Sequence, residues 1–196
     1  MSMEREVSSV FGARDPEPWS PKPGIPADLL RAKTLAYDPS GFTCSQPMPE
    51  AESAEYGACE FTLDGLSVRF RAAKTTPTKL GQFVTVWKRS ASGPIQPFDA
   101  EDPVDLFVIS TCEDKQFGQF GQFVFPRDVL RERDIVSTND SGGKRAFRVY
   151  PPWVTTTNRQ ARSTQTWQVE HWLQLPEDEP VDIPRAHALY HPRGQR

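Results

Sequence analysis

Basic side chains are concentrated in two segments that contain no acidic residue. Residues 66–89 carry Arg69, Arg71, Lys74, Lys79, Lys88 and Arg89, and residues 141–168 carry Lys144, Arg145, Arg148, Arg159 and Arg162. The guanidinium group is a planar fork of donors that matches phosphate, and lysine supplies a point charge. If the two segments lie side by side in the fold, their cations form one surface that suits a polyanion.

Uncharged hydrogen-bonding groups and aromatic rings accompany these cations. Glutamine and threonine can meet phosphate, sugar or base edges without adding charge. Trp153 follows two prolines at the end of a predicted strand, where its ring could stack on an unpaired base with a gain of about 1–3 kcal/mol. The candidate nucleic-acid-binding residues are Arg69, Arg71, Lys74, Thr76, Lys79, Gln82, Arg148, Trp153, Gln160 and Gln165.

The charge of the whole chain argues against a polyanion partner. With 23 Lys and Arg against 26 Asp and Glu, the net charge is −3, which repels rather than attracts nucleic acid at long range. The alternative is that these cations are solvated and pair with acids elsewhere in the fold. The nucleic-acid hypothesis therefore requires that Arg71, Lys74, Lys79 and Arg148 share one solvent-facing concavity.

The sequence favours a non-catalytic role. A metal-dependent nuclease needs carboxylates that hold Mg²⁺ beside a lysine, but Ala72 occupies the position two residues before Lys74 where an acid is expected. Nucleophile-elbow, zinc-protease and P-loop spacings are also missing. We predict no catalytic residue, no metal and no cofactor. Two alternatives stay open: a degenerate nuclease using Glu60, Asp64 and Lys74, and a module that binds proteins or small anions.

The elements that must position these side chains are strands and a few helices. Asp64-Gly65 separates two alternating apolar runs, residues 59–63 and 66–72, which is a strong hairpin signal. Further strands are predicted over residues 82–87, 105–110, 121–125 and 144–150, and helices after Pro26, Pro126 and Asn158. The predicted fold class is α/β (α+β), with a central twisted, mostly antiparallel or mixed sheet and flanking helices.

The chain divides by composition into three parts. Residues 1–50 form a Pro-rich arm with a short helix, residues 51–176 the main domain, and residues 177–196 an acidic, Pro-containing tail with no evident reason to fold. Cys44, Cys59 and Cys112 are an odd number without CxxC spacing, and no apolar run approaches the roughly 18–20 residues that cross a bilayer. We predict a cytoplasmic protein without a membrane partner.

Four stretches carry a resemblance to a known family. The signature of MepB-like proteins resembles residues 70–87, FRAAKTTPTKLGQFVTVW, and three later stretches, residues 121–126, 148–153 and 160–167, are similar to that family in the same order. The resemblance spans about residues 55–175. It implies a compact, nuclease-like, two-layer fold and a role in binding DNA or RNA without established catalysis. Its polar signature positions are Arg71, Lys74, Thr76, Lys79, Arg148, Gln160 and Gln165.

Overall fold

The structure, a computed structural model, describes residues 18–20, 22–89, 93–113 and 118–192. Its strands, in chain order, are β1 (Met48–Pro49), β2 (Cys59–Leu63), β3 (Leu66–Ala72), β4 (Lys74–Thr76), β5 (Lys79–Thr85), β6 (Trp87–Arg89), β7 (Ile95–Pro97), β8 (Leu106–Cys112), β9 (Phe120–Pro126), β10 (Ala146–Val149) and β11 (Trp172–Gln174). The helices are α1 (Ala27–Ala32), α2 (Arg127–Glu132), α3 (Arg159–Val169) and α4 (Ile183–Tyr190). A π-helical turn, Lys33–Tyr37, continues α1, and Ala54–Tyr56 form a 3-10 turn.

The centre of the fold is a six-stranded sheet in the order β1-β2-β3-β8-β9-β11. The predicted hairpin forms β2 and β3, and its two turn residues, Asp64 and Gly65, both have positive φ, at 48° and 85°. Such a turn matches the right-handed twist of the strands that it joins. β3 and β8 run parallel, whereas the other neighbouring pairs are antiparallel. The predicted α+β fold with a mixed sheet is therefore confirmed.

A second, three-stranded sheet has the order β10-β5-β4, and β6 pairs with β7 separately. β5 belongs to the first acid-free segment and β10 to the second, and their antiparallel pairing places Arg148 opposite Phe83. Backbone pairing between distant parts of the chain thus brings the two basic segments side by side. This meets the first condition of the polyanion hypothesis.

Both faces of the central sheet are buried. Because side chains alternate along a strand, Leu106 and Val108 of β8 join one apolar cluster, while Phe107 and Ile109 join the other. The second cluster lies against α2, α3 and the three-stranded sheet. The first is completed by residues of α1 and α4, so the terminal segments add a layer to the predicted two.

The prediction that the tail beyond Pro176 has no reason to fold is wrong. α4 begins at Asp182, whose Oδ1 accepts a hydrogen bond from the Arg185 amide at 2.9 Å, and it ends at the fully buried Tyr190. The Tyr190 hydroxyl donates to Oε1 of Gln122 in β9 at 2.7 Å. The helix folds because it covers an apolar face of the sheet that the main domain leaves bare.

The N-terminal segment also packs on the core wherever the structure describes it. Residues 1–17 and 21 of the predicted arm lie outside the described residues. α1 follows Pro26 as predicted and buries Leu29 and Ala32 completely, and the Tyr37 hydroxyl donates to Gln122 at 3.0 Å. Among the described residues, no helix is long and apolar enough to cross a membrane.

Candidate functional site

An open groove of about 620 Å³ lies between α3 and the three-stranded sheet. We call it the basic groove, because the four charged residues among its described lining are Lys79, Arg133, Lys144 and Arg148. Lys79 begins β5, Arg133 follows α2, and Lys144 and Arg148 come from the segment that forms β10. No carboxylate belongs to that lining, which agrees with the acid-free stretches of the sequence.

Three of these cations are available to a ligand. Lys79, Arg133 and Lys144 are exposed, and within the described ranges none of them forms an ion pair. The Arg133 guanidinium lies 5.1 Å from the centre of the Trp167 ring, which holds it at the groove wall. An unpaired cation on a surface keeps its charge for whatever anion arrives.

The wall opposite the sheet is the first half of α3. Asn158 caps this helix, as predicted, because its Oδ1 accepts from the Ala161 amide at 2.8 Å. Gln160, Ser163 and Thr164 turn toward the groove and supply uncharged polar groups. The partial positive charge at a helix N-terminus adds to the potential of the four cations.

Hydrogen bonds from two glutamines of α3 fix the distance between the walls. Gln168 of α3 is fully buried, and its amide donates to the Arg148 carbonyl at 2.9 Å while its Oε1 accepts from the Tyr150 amide at 2.8 Å. The Gln165 amide donates to the carbonyls of Pro151 and Val154 at 2.9 and 2.8 Å. Gln165, a predicted binding residue, is therefore committed to holding α3 against the loop after β10.

Arg69 and Arg71 do not reach the basic groove. Both project from one side of β3, but Glu50 lies against that side and pairs with both of them, and Glu60 also pairs with Arg69. Arg71 is 1% exposed, and its burial lowers the pKa of the guanidinium while the Glu50 carboxylate opposes that shift. The prediction that Arg71 faces solvent is wrong. The expected concavity shared by Arg71, Lys74, Lys79 and Arg148 is therefore not formed, because only Lys79 and Arg148 line the groove.

Arg148 and Thr76 have a mainly structural arrangement. Arg148 Nη2 donates to the Thr76 hydroxyl at 2.7 Å, and Nη1 reaches the carbonyls of Leu80 and Gly81 at 3.3 Å each. The guanidinium thereby ties β10 to the turn between β4 and β5. It lends positive charge to the groove, but its donors are largely used.

A second cavity, of about 560 Å³, opens beside the β4–β5 turn, and we call it the Gln82 pocket. Its described lining consists of residues 75–82, Glu113 and residues 153–155. Lys79 lines both cavities, so the pocket adjoins the basic groove. Of the remaining candidates, Gln82 and Trp153 line this pocket and Gln160 lines the groove, whereas Lys74 is exposed with its Nζ 4.7 Å from the Tyr56 ring centre.

The residues of the nuclease alternative do not converge. Glu60 pairs with Arg69, while Asp64 accepts from the Thr43 amide at 2.7 Å and contacts His191 at 2.9 Å. Glu60 and Asp64 also stand about 13 Å apart along an extended strand. Among the described residues there is no cluster of three or more acidic, histidine or cysteine side chains that could hold a metal ion.

Several groove residues lie outside the sequence-based candidate set, among them Arg133, Trp167 and Lys144. Arg133 lies outside both acid-free segments, next to Asp134, so its sequence neighbours give no signal. Trp167 shares a face of α3 with Gln160 and Thr164 at helical spacing, and that spacing could have identified it. Lys144 was visible as part of the second basic segment.

Comparison with known proteins agrees with this architecture. The family model described as MepB-like matches residues 50–174, which include both cavities and Glu50. The chain belongs to the MepB-like family. A solved structure titled "Crystal Structure of MepB" is 35% identical, with a TM-score of 0.64 over 68% of this MepB-like chain and 88% of that one. No curated protein matches the chain. α1 and α4 of this MepB-like protein lie outside the matched residues.

Proposed function

We propose that this protein binds nucleic acid, DNA or RNA, by placing the phosphate backbone in the basic groove. The observation that carries the proposal is the described lining of that groove, where four cations and no carboxylate meet in a chain of net charge −3. A surface that only needs solvation does not require such segregation. It is what backbone recognition of a polyanion requires.

The exposed side chains of the groove bind different parts of the nucleic-acid backbone. Lys79, Arg133 and Lys144 neutralise phosphates, because they are exposed and unpaired in the described structure. Gln160 and Thr164 offer hydrogen bonds to sugar or phosphate oxygens. The buried contacts of Gln168 hold both walls in place before a ligand arrives, so little ordering entropy is lost on binding.

The acidic remainder of the chain sets the character of the interaction. At physiological salt, charges are screened beyond about 8 Å, so a phosphate inside the groove experiences mainly the local cations. Long-range attraction is weak because the whole molecule is anionic. The proposal therefore expects contact-range binding without electrostatic acceleration of encounter.

The proposed function also includes a cellular compartment and a partner. Cys44 and Cys59 are free thiols, which supports a reducing, cytoplasmic location. Nucleic acid is accessible there, and the proposal includes no membrane partner. Catalysis is not part of it.

The test is the salt dependence of oligonucleotide binding. Three neutralised phosphates give a slope of log K against log salt of about −2.7 on duplex DNA, so affinity falls roughly 40-fold between about 50 and 200 mM salt. In the double variant Arg133→Gln, Lys144→Gln the slope falls to about −0.9 and the loss to about fourfold. Fluorescence anisotropy at several salt concentrations measures both.

The matched control is Arg159→Gln, Arg162→Gln. It removes the same charge from exposed positions of α3 that do not line the groove, so we expect the slope to stay near −2.7. Equal losses in the two double variants would mean that only net charge matters and would reject the groove. Absence of binding at low salt would reject the function itself.

A further inference from the structure

The Gln82 pocket differs chemically from the basic groove that it adjoins. Among the described residues that line it, the two charged ones are of opposite sign: Lys79 lies at the edge shared with the groove and Glu113 on another side. A carboxylate in the wall disfavours a phosphate inside the pocket. A neutral group that can donate hydrogen bonds is compatible with it.

Gln82 presents an unused acceptor. The side chain is 5% exposed, and its Nε2 donates to the Cys112 carbonyl at 2.6 Å and to the Thr75 hydroxyl at 3.3 Å. These two contacts fix the orientation of the amide. Its Oε1 is buried and has no hydrogen-bond partner among the described residues. An unpaired buried acceptor is costly in a folded protein, so a ligand donor placed there gains more than it would at the surface.

The rest of the pocket offers flat apolar surface. Trp153 is half-buried, and its ring is held edge-on against Trp172, with 5.3 Å between ring centroids. Pro77, Leu80 and Val154 complete the apolar lining, and Leu80 is 46% exposed. An aromatic platform beside a single buried acceptor suits a nucleobase, which has a π-face and a donor on its edge.

The pocket stands within reach of a backbone lying in the groove. A smaller recess of about 300 Å³, lined by Thr78, Lys79, Arg148 and Asn158 among others, shares residues with both cavities. A chain whose phosphates follow the groove therefore passes the mouth of the Gln82 pocket at Lys79. A base can turn into the pocket from that point if it is not paired in a duplex.

We propose that the Gln82 pocket receives one unpaired nucleobase, so that the protein selects single-stranded over double-stranded nucleic acid. The inference rests on the proposed backbone binding in the groove. Gln82 Oε1 accepts from the base edge and Trp153 contacts its face. Bases with an exocyclic amine, adenine, cytosine and guanine, fit better than uracil or thymine, whose single edge donor, N3–H, lies between two carbonyls that Oε1 repels.

Charge cannot produce such a preference. Neutralising the same number of phosphates gives a smaller gain in affinity on a single strand than on a duplex. The slope of log K against log salt is about −0.7 per phosphate for a single strand and about −0.9 for a duplex. A protein with only a basic groove therefore binds duplex at least as tightly. One stacked base adds roughly 5- to 150-fold in affinity for the single strand.

The experiment compares a mixed-sequence single strand with a duplex of equal length. We expect the wild-type protein to bind the single strand more tightly than the duplex. Its affinity for the single strand should also exceed that of a protein with the groove but no pocket roughly 5- to 150-fold. Thr155→Trp fills the pocket from an exposed rim position and should abolish the preference while leaving duplex affinity unchanged. Trp153→Ala removes the platform and should also abolish the preference. Thr166→Trp, exposed on α3 and outside both cavities, is the control and should keep it.

The outcomes separate the two proposals. Equal or weaker binding of the single strand by the wild type, or an unchanged preference in Thr155→Trp, would overturn the pocket while leaving the groove intact. Failure to bind either polymer would overturn both. Because Trp153 packs on Trp172, Trp153→Ala is interpreted only if its denaturation midpoint shows that the variant is folded. If it is not folded, the result for Thr155→Trp, which changes an exposed position, is used instead.

Discussion

Replacing Glu50 by glutamine tests whether Arg69 and Arg71 are structural. Glu50 follows β1, and its amide donates to the Ala58 carbonyl at 2.9 Å, which places the carboxylate beside both arginines. In Glu50→Gln the guanidinium of Arg71, 1% exposed, keeps the Phe70 carbonyl and one side-chain oxygen as acceptors but loses its counter-charge. Removing one partner of a buried ion pair costs about 3–5 kcal/mol.

Glu60→Gln is the matched control for this change. It removes the same charge from the same network, but the Glu60 side chain is 49% exposed and Arg69 keeps Glu50. An exposed ion pair contributes about 0–1 kcal/mol. Because glutamine keeps one side-chain oxygen, the loss of unfolding free energy in Glu50→Gln should lie at the lower end of that range. We expect about 3 kcal/mol for Glu50→Gln and at most about 1 kcal/mol for Glu60→Gln.

Urea denaturation measures the free energy of unfolding of both variants, and thermal denaturation measures their Tm; circular dichroism monitors both. For a chain of this size, 1 kcal/mol corresponds to about 2–4 °C in Tm, so Glu50→Gln should melt about 6–12 °C lower and Glu60→Gln within about 4 °C of wild type. The double variant Glu50→Gln, Arg71→Met should regain part of the loss, because it removes the unpaired buried charge. Equal effects of the two single variants would refute the buried-network account.

Two further predictions concern the core and the pH dependence of folding. In Gly121→Ala, the new Cβ would lie 2.3 Å from the Trp172 ring, so we expect chemical denaturation to show a loss of about 3 kcal/mol in unfolding free energy. The control is Gly65→Ala, where no atom lies within 4 Å of the new Cβ and only the positive φ is unfavourable, so we expect a loss of about 1 kcal/mol. The hydrogen bond from the Ser137 hydroxyl lowers the pKa of the Asp99 carboxyl, so its stabilisation is present above the unfolded pKa of about 3.9 and is lost as the pH falls through the folded pKa. Ser137→Ala should therefore make the acid decline of the unfolding free energy shallower, and an unchanged decline would count against this origin.

Local signals were sufficient for most of the elements of the main domain. Some features depend on interactions within a few residues and can therefore be predicted from the sequence. They are the Asp64-Gly65 turn, the strand patterns of β5, β8, β9 and β10, and the Asn158 cap. The short strands β1, β4, β7 and β11 give no such signal. Their two or three residues are strands because a neighbouring strand offers backbone partners.

The terminal segments show the limit of that reasoning. α4 has a capping Asp182 that the sequence displays, but eight residues form no stable helix alone. Its stability comes from burying Tyr190 against Gln122, which lies 68 positions away in the chain. The likeness to nuclease folds stays a prediction.

The amino-acid sequence by itself determined the segregation of charge, since two acid-free segments exist whatever the fold. Which of their cations can meet a ligand was decided by the tertiary structure. Glu50, 21 positions before Arg71, becomes its partner through the pairing of β1, β2 and β3, whereas Arg133 joins Lys79 and Lys144 in the groove from a stretch of mixed charge. Coulombic interactions depend on distance in space and on burial, and neither follows from order along the chain.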